Sequence, residues 1–108
     1  MQRDAMLKQL GYSPNEALLS QMGRIIENTK DYSKIEKHII DLNDVLKSDK
    51  SYVAMSNSED FLKIKIETDI EDMIQDAKEK IDHFSEKFKV KLRKIDGKNT
   101  YYILGFNK

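Results

Sequence analysis

The stretch SYVAMSNSEDFLKIKIE, residues 51–67, decides the fold class, because the period of the hydrophobic residues changes to two here. Leu62, Ile64 and Ile66 alternate with two lysines, which is typical of a strand with one buried and one solvated face. The polar residues 57–59 separate this strand from an earlier apolar run, YVAMS. The stretch therefore predicts two strands joined by a short turn.

The residues that follow predict a helix and a second hairpin. Residues 68–71, TDIE, match the S/T-x-x-E pattern of helix starts, and apolar residues then recur at helical spacing up to Phe88. The segment FKVKLRKI alternates again over residues 88–95, and Asp96-Gly97 is a hairpin turn signal. TYYILGF, residues 100–106, returns as an apolar strand in which Gly105 suggests a bulge. Residues 51–108 thus predict a ββαββ unit.

Residues 1–48 predict helices. The S/T-x-x-E pattern recurs at residues 13–16 and 33–36, each time before an apolar stripe of helical period. A short leading helix over residues 2–10 ends at Gly11. The polar run NTKDY at residues 28–32 favours two antiparallel helices, and one continuous helix over residues 14–47 stays open. We expect a single α+β domain, residues 1–108, in which two or three N-terminal helices pack with the C-terminal ββαββ unit and its mainly antiparallel sheet.

Composition excludes several classes of function. The chain has no cysteine, so disulfides and thiolate metal sites are excluded, and no run of 18 apolar residues occurs. We therefore expect a cytoplasmic protein without membrane contact. Net charge is zero, which argues against a globally basic polyanion binder. Charges are nevertheless sorted: residues 67–86 hold eight acids and two lysines, whereas residues 87–98 hold six bases and one acid.

Strand alternation predicts a basic sheet face with one tyrosine, Tyr101 or Tyr102, among the cations. Its basic residues are Lys63, Lys65, Lys89, Lys91 and Arg93. Cations beside an aromatic ring on an open sheet are typical of single-stranded nucleic-acid binding. An antiparallel sheet with one solvated face also needs polar residues there, and lysine protects sheet edges from pairing with other chains. The pattern favours this second interpretation.

Candidate chemistry is sparse. One stripe of the predicted helix carries Asp72, Asp76, Glu79 and His83. Glu79 and His83, four residues apart, could chelate a cation, but no second histidine supports them, and an ion pair is favoured. His38 borders an apolar stripe. The four glycines form no phosphate-binding loop. We expect no metal and no cofactor, and no catalytic residues can be assembled.

These observations favour a non-enzymatic protein-interaction or regulatory module that binds a protein partner or a second copy of itself. The expected homodimer contact lies on the apolar stripes of the N-terminal helices. Its residues are Leu18, Met22, Ile25, Ile39 and Leu42. The alternative is a small single-stranded nucleic-acid-binding protein that uses the basic sheet face. An enzyme of unknown class is the third possibility.

Overall fold

A computed structural model describes residues 1–107 and confirms the predicted α+β class. Within these residues, four helices and four strands follow one another, with a short 3-10 turn, Lys47–Asp49, before the first strand. They are α1 (Arg3–Gln9), α2 (Glu16–Asn28), α3 (Tyr32–Leu46), β1 (Ser51–Met55), β2 (Leu62–Ile66), α4 (Glu71–Phe88), β3 (Val90–Lys94) and β4 (Thr100–Phe106). None of the helices in residues 1–107 combines the length and the apolar character that crossing a membrane requires.

The strands form one antiparallel sheet in the order β1-β2-β4-β3. The connection through α4 carries the chain past the position of β4 to the far edge, and β4 then returns between β2 and β3. Helices α3 and α4 pack against one side of the sheet, here called the inner face. Its alternating apolar residues are buried, as the period of two predicts. They include Val53, Met55, Leu62, Ile64, Ile66 and Ile103. The opposite side is called the outer face.

Helices α2 and α3 are separate, which confirms the prediction of two helices, and the break between them is fixed by backbone hydrogen bonds to β4. Asp31 adopts the left-handed conformation, with φ of 51°. Just before it, the backbone of Lys30 pairs with the end of β4 through its N–H to Leu104 (3.3 Å) and its C=O to Phe106 (2.8 Å). A Cβ on Gly105 would lie 2.6 Å from the Lys30 nitrogen, and φ there is +142°. Only glycine fits at this junction.

The helix starts lie close to their predicted positions, but the Ser or Thr that opens each S/T-x-x-E pattern is not the cap that the pattern predicts. In α2 the cap is Asn15, whose Oδ1 accepts from the backbone N–H of Leu18 (2.8 Å), and not Ser13. In α3 the cap position is Asp31, which makes no side-chain cap bond and lies two residues before Ser33, the first residue of its S/T-x-x-E pattern. A pattern of four residues does not decide which polar side chain takes the cap position, since several side chains near a helix start can accept from its free N–H groups.

Edge strand β1 is held by side chains of the helical part. The Val53 N–H donates to Oδ1 of the buried Asn43 in α3 (2.8 Å), and the Met55 N–H donates to the Tyr12 hydroxyl (3.0 Å). These bonds satisfy backbone donors that an edge strand otherwise leaves open to other chains.

Candidate functional site

The outer face carries four of the five basic residues predicted for it. On β2 these are Lys63 and Lys65, and on β3 Lys91 and Arg93, in positions set by strand alternation and pairing. The prediction for Lys89 is wrong, because α4 continues through Phe88 and Lys89 is its C-cap in the left-handed conformation, with φ of 55°. The strand begins only at Val90.

Tyr102 is the tyrosine of the outer face, opposite Lys63, but its ring is covered. The Arg93 guanidinium lies 5.0 Å from the ring centroid, and the Phe61 ring lies at 5.9 Å. The Tyr102 hydroxyl shares a hydrogen bond of 3.0 Å with Ser58, and the residue is only 6% exposed. Stacking a nucleic-acid base on this ring would require the displacement of Arg93, so the geometry does not favour the stacking that single-strand binding uses.

Two of the outer-face cations are partly neutralised by neighbouring carboxylates. Arg93 pairs with Glu59 (2.7 Å), and Lys65 pairs with Glu67 (3.1 Å). The hydrogen bond to Glu67 raises the pKa of Lys65 above its ordinary value, and the same bond lowers the pKa of Glu67. Within residues 1–107, Lys63 and Lys91 have no carboxylate within ion-pair distance. Their charges are available to a ligand.

The residues predicted for self-association lie in the protein's own core. Met22, Ile25 and Ile39 are fully buried, Leu42 is nearly so, and Leu18 is half-buried. Amphipathic stripes on two helices have the same pattern whether they face a second copy or the chain's own sheet. In this fold the helical part meets the sheet, which leaves these side chains little surface to offer a partner.

A groove of about 440 Å³ lies between α3 and α4 on the side away from the sheet. Its apolar walls are Leu42, Val45, Phe84 and Phe88. Val45 is 49% exposed, which makes it one of the few large apolar side chains that face solvent in the described part of the chain. At one end the His38 ring stacks on Phe88, with ring centroids 3.6 Å apart and planes 10° apart. This contact closes that end of the groove.

The rim of the groove is acidic. Asp41 of α3 and Glu79 of α4 line it, and neither has a cation within ion-pair distance among residues 1–107. Helix α4 as a whole carries six acids and three lysines. The groove is therefore apolar inside and negative around its edge.

Lys80 fixes the other end of the groove. Its ammonium donates to Asp49 (2.9 Å), to the Val45 carbonyl (3.0 Å) and to Ser48 (3.0 Å), and it pairs with Asp76 (2.9 Å). Bonds to Asp49 and Asp76 raise the pKa of Lys80, and the pKa of Asp76 is lowered in turn. This network joins α4 to the end of α3, so the two walls keep their separation.

The acidic stripe with His83 does not gather into a metal site. No group of three or more His, Asp or Glu side chains in residues 1–107 has the arrangement that would hold an ion. Asp76 pairs with Lys80, and Asp76, Glu79 and His83 all line the groove. Within residues 1–107, Glu79 and His83 form no ion pair with each other, so the favoured pairing is wrong.

Sequence reasoning missed the groove and also a concavity on the outer face. One signal for the groove was available, because Val45 interrupts the polar side of α3 between Asp44 and Lys47. The concavity had no local signal, since its side chains come from the 56–58 loop, from β2 and β4, and from the 95–98 turn. Comparison of this chain with protein-family models, with curated proteins and with solved structures finds no match.

Proposed function

We propose that this chain is a non-enzymatic protein-interaction module and that the α3–α4 groove receives a basic amphipathic helix of a partner protein. One observation carries the proposal: the half-exposed Val45 lies in an apolar groove whose rim carries the unneutralised charges of Asp41 and Glu79. Apolar side chains that face solvent in a concave, preformed site are typical of interaction surfaces.

The chemistry of the groove selects the occupant. A helix laid in a hydrophobic groove inserts apolar side chains at spacings of three and four residues. The carboxylates of the rim favour lysine or arginine beside those anchors and disfavour acids, because complementary charge guides association and like charge opposes it. A second copy of this chain fits less well, since α4 is itself acidic and the homodimer residues expected from the sequence are mostly buried.

The test uses two synthetic helical peptides with the same leucine spacing, one with lysines and one with glutamates beside the leucines. Fluorescence anisotropy should show saturable binding of the lysine peptide only. Val45→Asp should weaken that binding at least about tenfold, as expected when a buried apolar contact is lost. The matched control is Ile70→Asp, which changes a residue of similar exposure (47%) outside the groove and should leave the affinity unchanged.

Three results would overturn the proposal. Equal binding of both peptides, or equal loss in the Val45 and Ile70 variants, would mean that the groove does not select its ligand. Sedimentation equilibrium provides the third result: a dimer that forms in the native protein and is abolished by Val45→Asp would make a second copy the occupant.

A further inference from the structure

The outer face of the sheet contains a walled trough over β2 and β4, with a volume of about 320 Å³. Its floor is set by two cross-strand pairs, Lys63 opposite Tyr102 and Lys65 opposite Thr100. The 56–58 loop lines one part of the trough, and Ile95 and Lys98 of the β3–β4 turn line another. A side of a sheet that no helix covers is usually open and shallow, whereas here the loop and the turn make the surface concave.

The polar side chains of the trough are rich in hydrogen-bond donors, and Asn57, which also lines it, adds an amide that can donate or accept. Three lysines line it, Lys63, Lys65 and Lys98, and four hydroxyl groups accompany them. The hydroxyl residues are Ser56, Ser58, Thr100 and Tyr102. Glu67, which pairs with Lys65, is not among the lining residues. The trough therefore presents positive charge and hydroxyl donors to whatever occupies it.

Three of the hydroxyl groups form a chain of hydrogen bonds in which the direction of donation can reverse. The Ser56 oxygen accepts from the backbone N–H groups of Ser58 (3.3 Å) and Glu59 (3.4 Å). The Ser56 and Ser58 hydroxyls lie 3.2 Å apart, and the Ser58 and Tyr102 hydroxyls lie 3.0 Å apart, with either partner able to donate in each pair. Because hydroxyl hydrogens rotate to suit their partners, this chain can direct a proton towards an incoming anion.

Burial distinguishes the trough from an ordinary solvated sheet face. Tyr102 is 6% exposed and Thr100 7% exposed, although both lie on the outer face. A hydrogen bond in such a partly enclosed place is stronger than one in bulk water. The hydrogen bonds from Ser58 and Ser56, together with the charge of Arg93, lower the pKa of Tyr102, which indicates surroundings that stabilise negative charge.

We propose that this trough binds a phosphate group carried by a small molecule. Lysine ammonium groups and hydroxyls are the donors that phosphate oxygens accept from. Walls lined by the 56–58 loop and the 95–98 turn suit a compact ligand better than a polynucleotide, which needs an open track and free aromatic rings. The site is separate from the α3–α4 groove, so the proposal stands independently of the interaction function.

The test is a titration followed by the backbone amide resonances of the protein, with three probes at matched ionic strength. They are inorganic phosphate, glycerol phosphate and a single-stranded oligothymidylate. Glycerol phosphate should give saturable shifts at Ser58, Thr100 and Tyr102. Weaker saturation by inorganic phosphate at the same residues would show that the rest of the small molecule contributes. Equal affinity for both would identify free phosphate as the ligand and would overturn the small-molecule part.

Variants locate the site. Lys63→Gln should weaken binding of glycerol phosphate at least about tenfold, as expected for the loss of one charge-assisted hydrogen bond. Lys91→Gln removes an equal charge from the same face outside the trough and should leave the affinity within about twofold, since exposed charges act weakly through solvent. Tyr102→Phe keeps the ring and removes the hydroxyl, so it should also weaken binding.

Three outcomes would overturn the proposal. One is the absence of saturable shifts with either phosphate probe. Another is an equal loss in Lys63→Gln and Lys91→Gln, which would mean non-specific attraction to the whole face. The last is binding of the oligothymidylate alone with a linear fall of log affinity against log salt, which would make the face a nucleic-acid surface.

Discussion

The two faces of the sheet are formed by the same strands but differ in what covers them. On the inner face, Ile64 and its apolar neighbours are buried beneath α3 and α4. On the outer face, the residues one position away are lysines, and the cover comes from a loop and a turn instead of a helix. The inner face stabilises the fold, whereas the outer face keeps charged groups and hydroxyls at the edge of solvent. Residues that stabilise the core and residues of the candidate binding site therefore lie one position apart along the same strand.

The largest expected effect tests that separation directly. Ile64→Ala removes a fully buried side chain and should lower the free energy of unfolding by about 2–5 kcal/mol. Lys63→Ala, at the next position, should change it by less than about 0.5 kcal/mol. Urea unfolding followed by circular dichroism measures both. Similar losses of unfolding free energy in the two variants would mean that the outer face contributes as much to stability as the inner face.

The second effect lies on the helical side, at Lys80. Lys80→Met should cost about 1–3 kcal/mol, because it leaves the buried carboxylate of Asp49 without its cation. The matched control is Lys47→Met, which breaks an exposed pair with Asp44 and should cost less than about 0.5 kcal/mol. Equal costs would show that burial of Asp49 does not matter.

The same variant has a definite pH dependence. The pKa of Lys80 is raised in the fold, so its contribution is complete below the ordinary pKa of lysine and is lost as the pH rises through the raised value. The pKa of Asp76 is lowered, so its contribution is present above the ordinary pKa of aspartate and is lost as the pH falls through the lowered value. The stability difference between the native protein and Lys80→Met should therefore be largest near neutrality. A difference that stays constant into strong alkali would contradict the role of the charge.

Sequence patterns predicted the inner face well because burial on one side of a strand imposes a period of two, and this signal is local. The two hairpins followed from this period, and the long helix followed from the helical spacing of its apolar residues, which is an equally local signal. The break between α2 and α3 was predicted from polar residues alone, although its physical basis is a backbone contact between Lys30 and Gly105, which no local pattern contains.

The wrong placement of Lys89 illustrates how a contact between residues distant in sequence accompanies a local choice. Phe88 fits both the helical stripe and the strand alternation, and its stacking on His38 accompanies the helical outcome, which leaves Lys89 as a cap. Both candidate sites depend on the same kind of contact. Ser58 meets Tyr102 across 44 positions, and Lys80 meets Asp49 across 31. Periodicity within a short window cannot predict such pairs.

A smaller effect concerns the edges of the sheet. Asn43→Ala removes the acceptor that holds the Val53 N–H of edge strand β1 and should cost about 1–2 kcal/mol, because a buried donor loses its partner. The control is the neighbouring exposed Asp44→Ala, which should change the free energy of unfolding by less than about 0.5 kcal/mol. Hydrogen exchange should also accelerate at Val53 in the Asn43 variant alone. Unchanged exchange there would mean that water replaces the side chain without cost.

The smallest expected effect concerns the hydrogen bonding of a buried hydroxyl in the helical part, that of Tyr32. Among residues 1–107 the buried Tyr32 hydroxyl has no hydrogen-bond partner, and the residue is 5% exposed. Burial first, and the nearby charge of Glu36 second, raise the pKa of this hydroxyl. Tyr32→Phe keeps the ring and removes only the unpaired group, so the free energy of unfolding should stay the same or rise by up to about 1 kcal/mol. A loss of more than about 1 kcal/mol in urea unfolding would show instead that Glu36 or a water molecule satisfies the hydroxyl in solution. In that case the buried helical side would contain a hydrogen-bonded hydroxyl that contributes to stability, a contribution that the outer face is not expected to make.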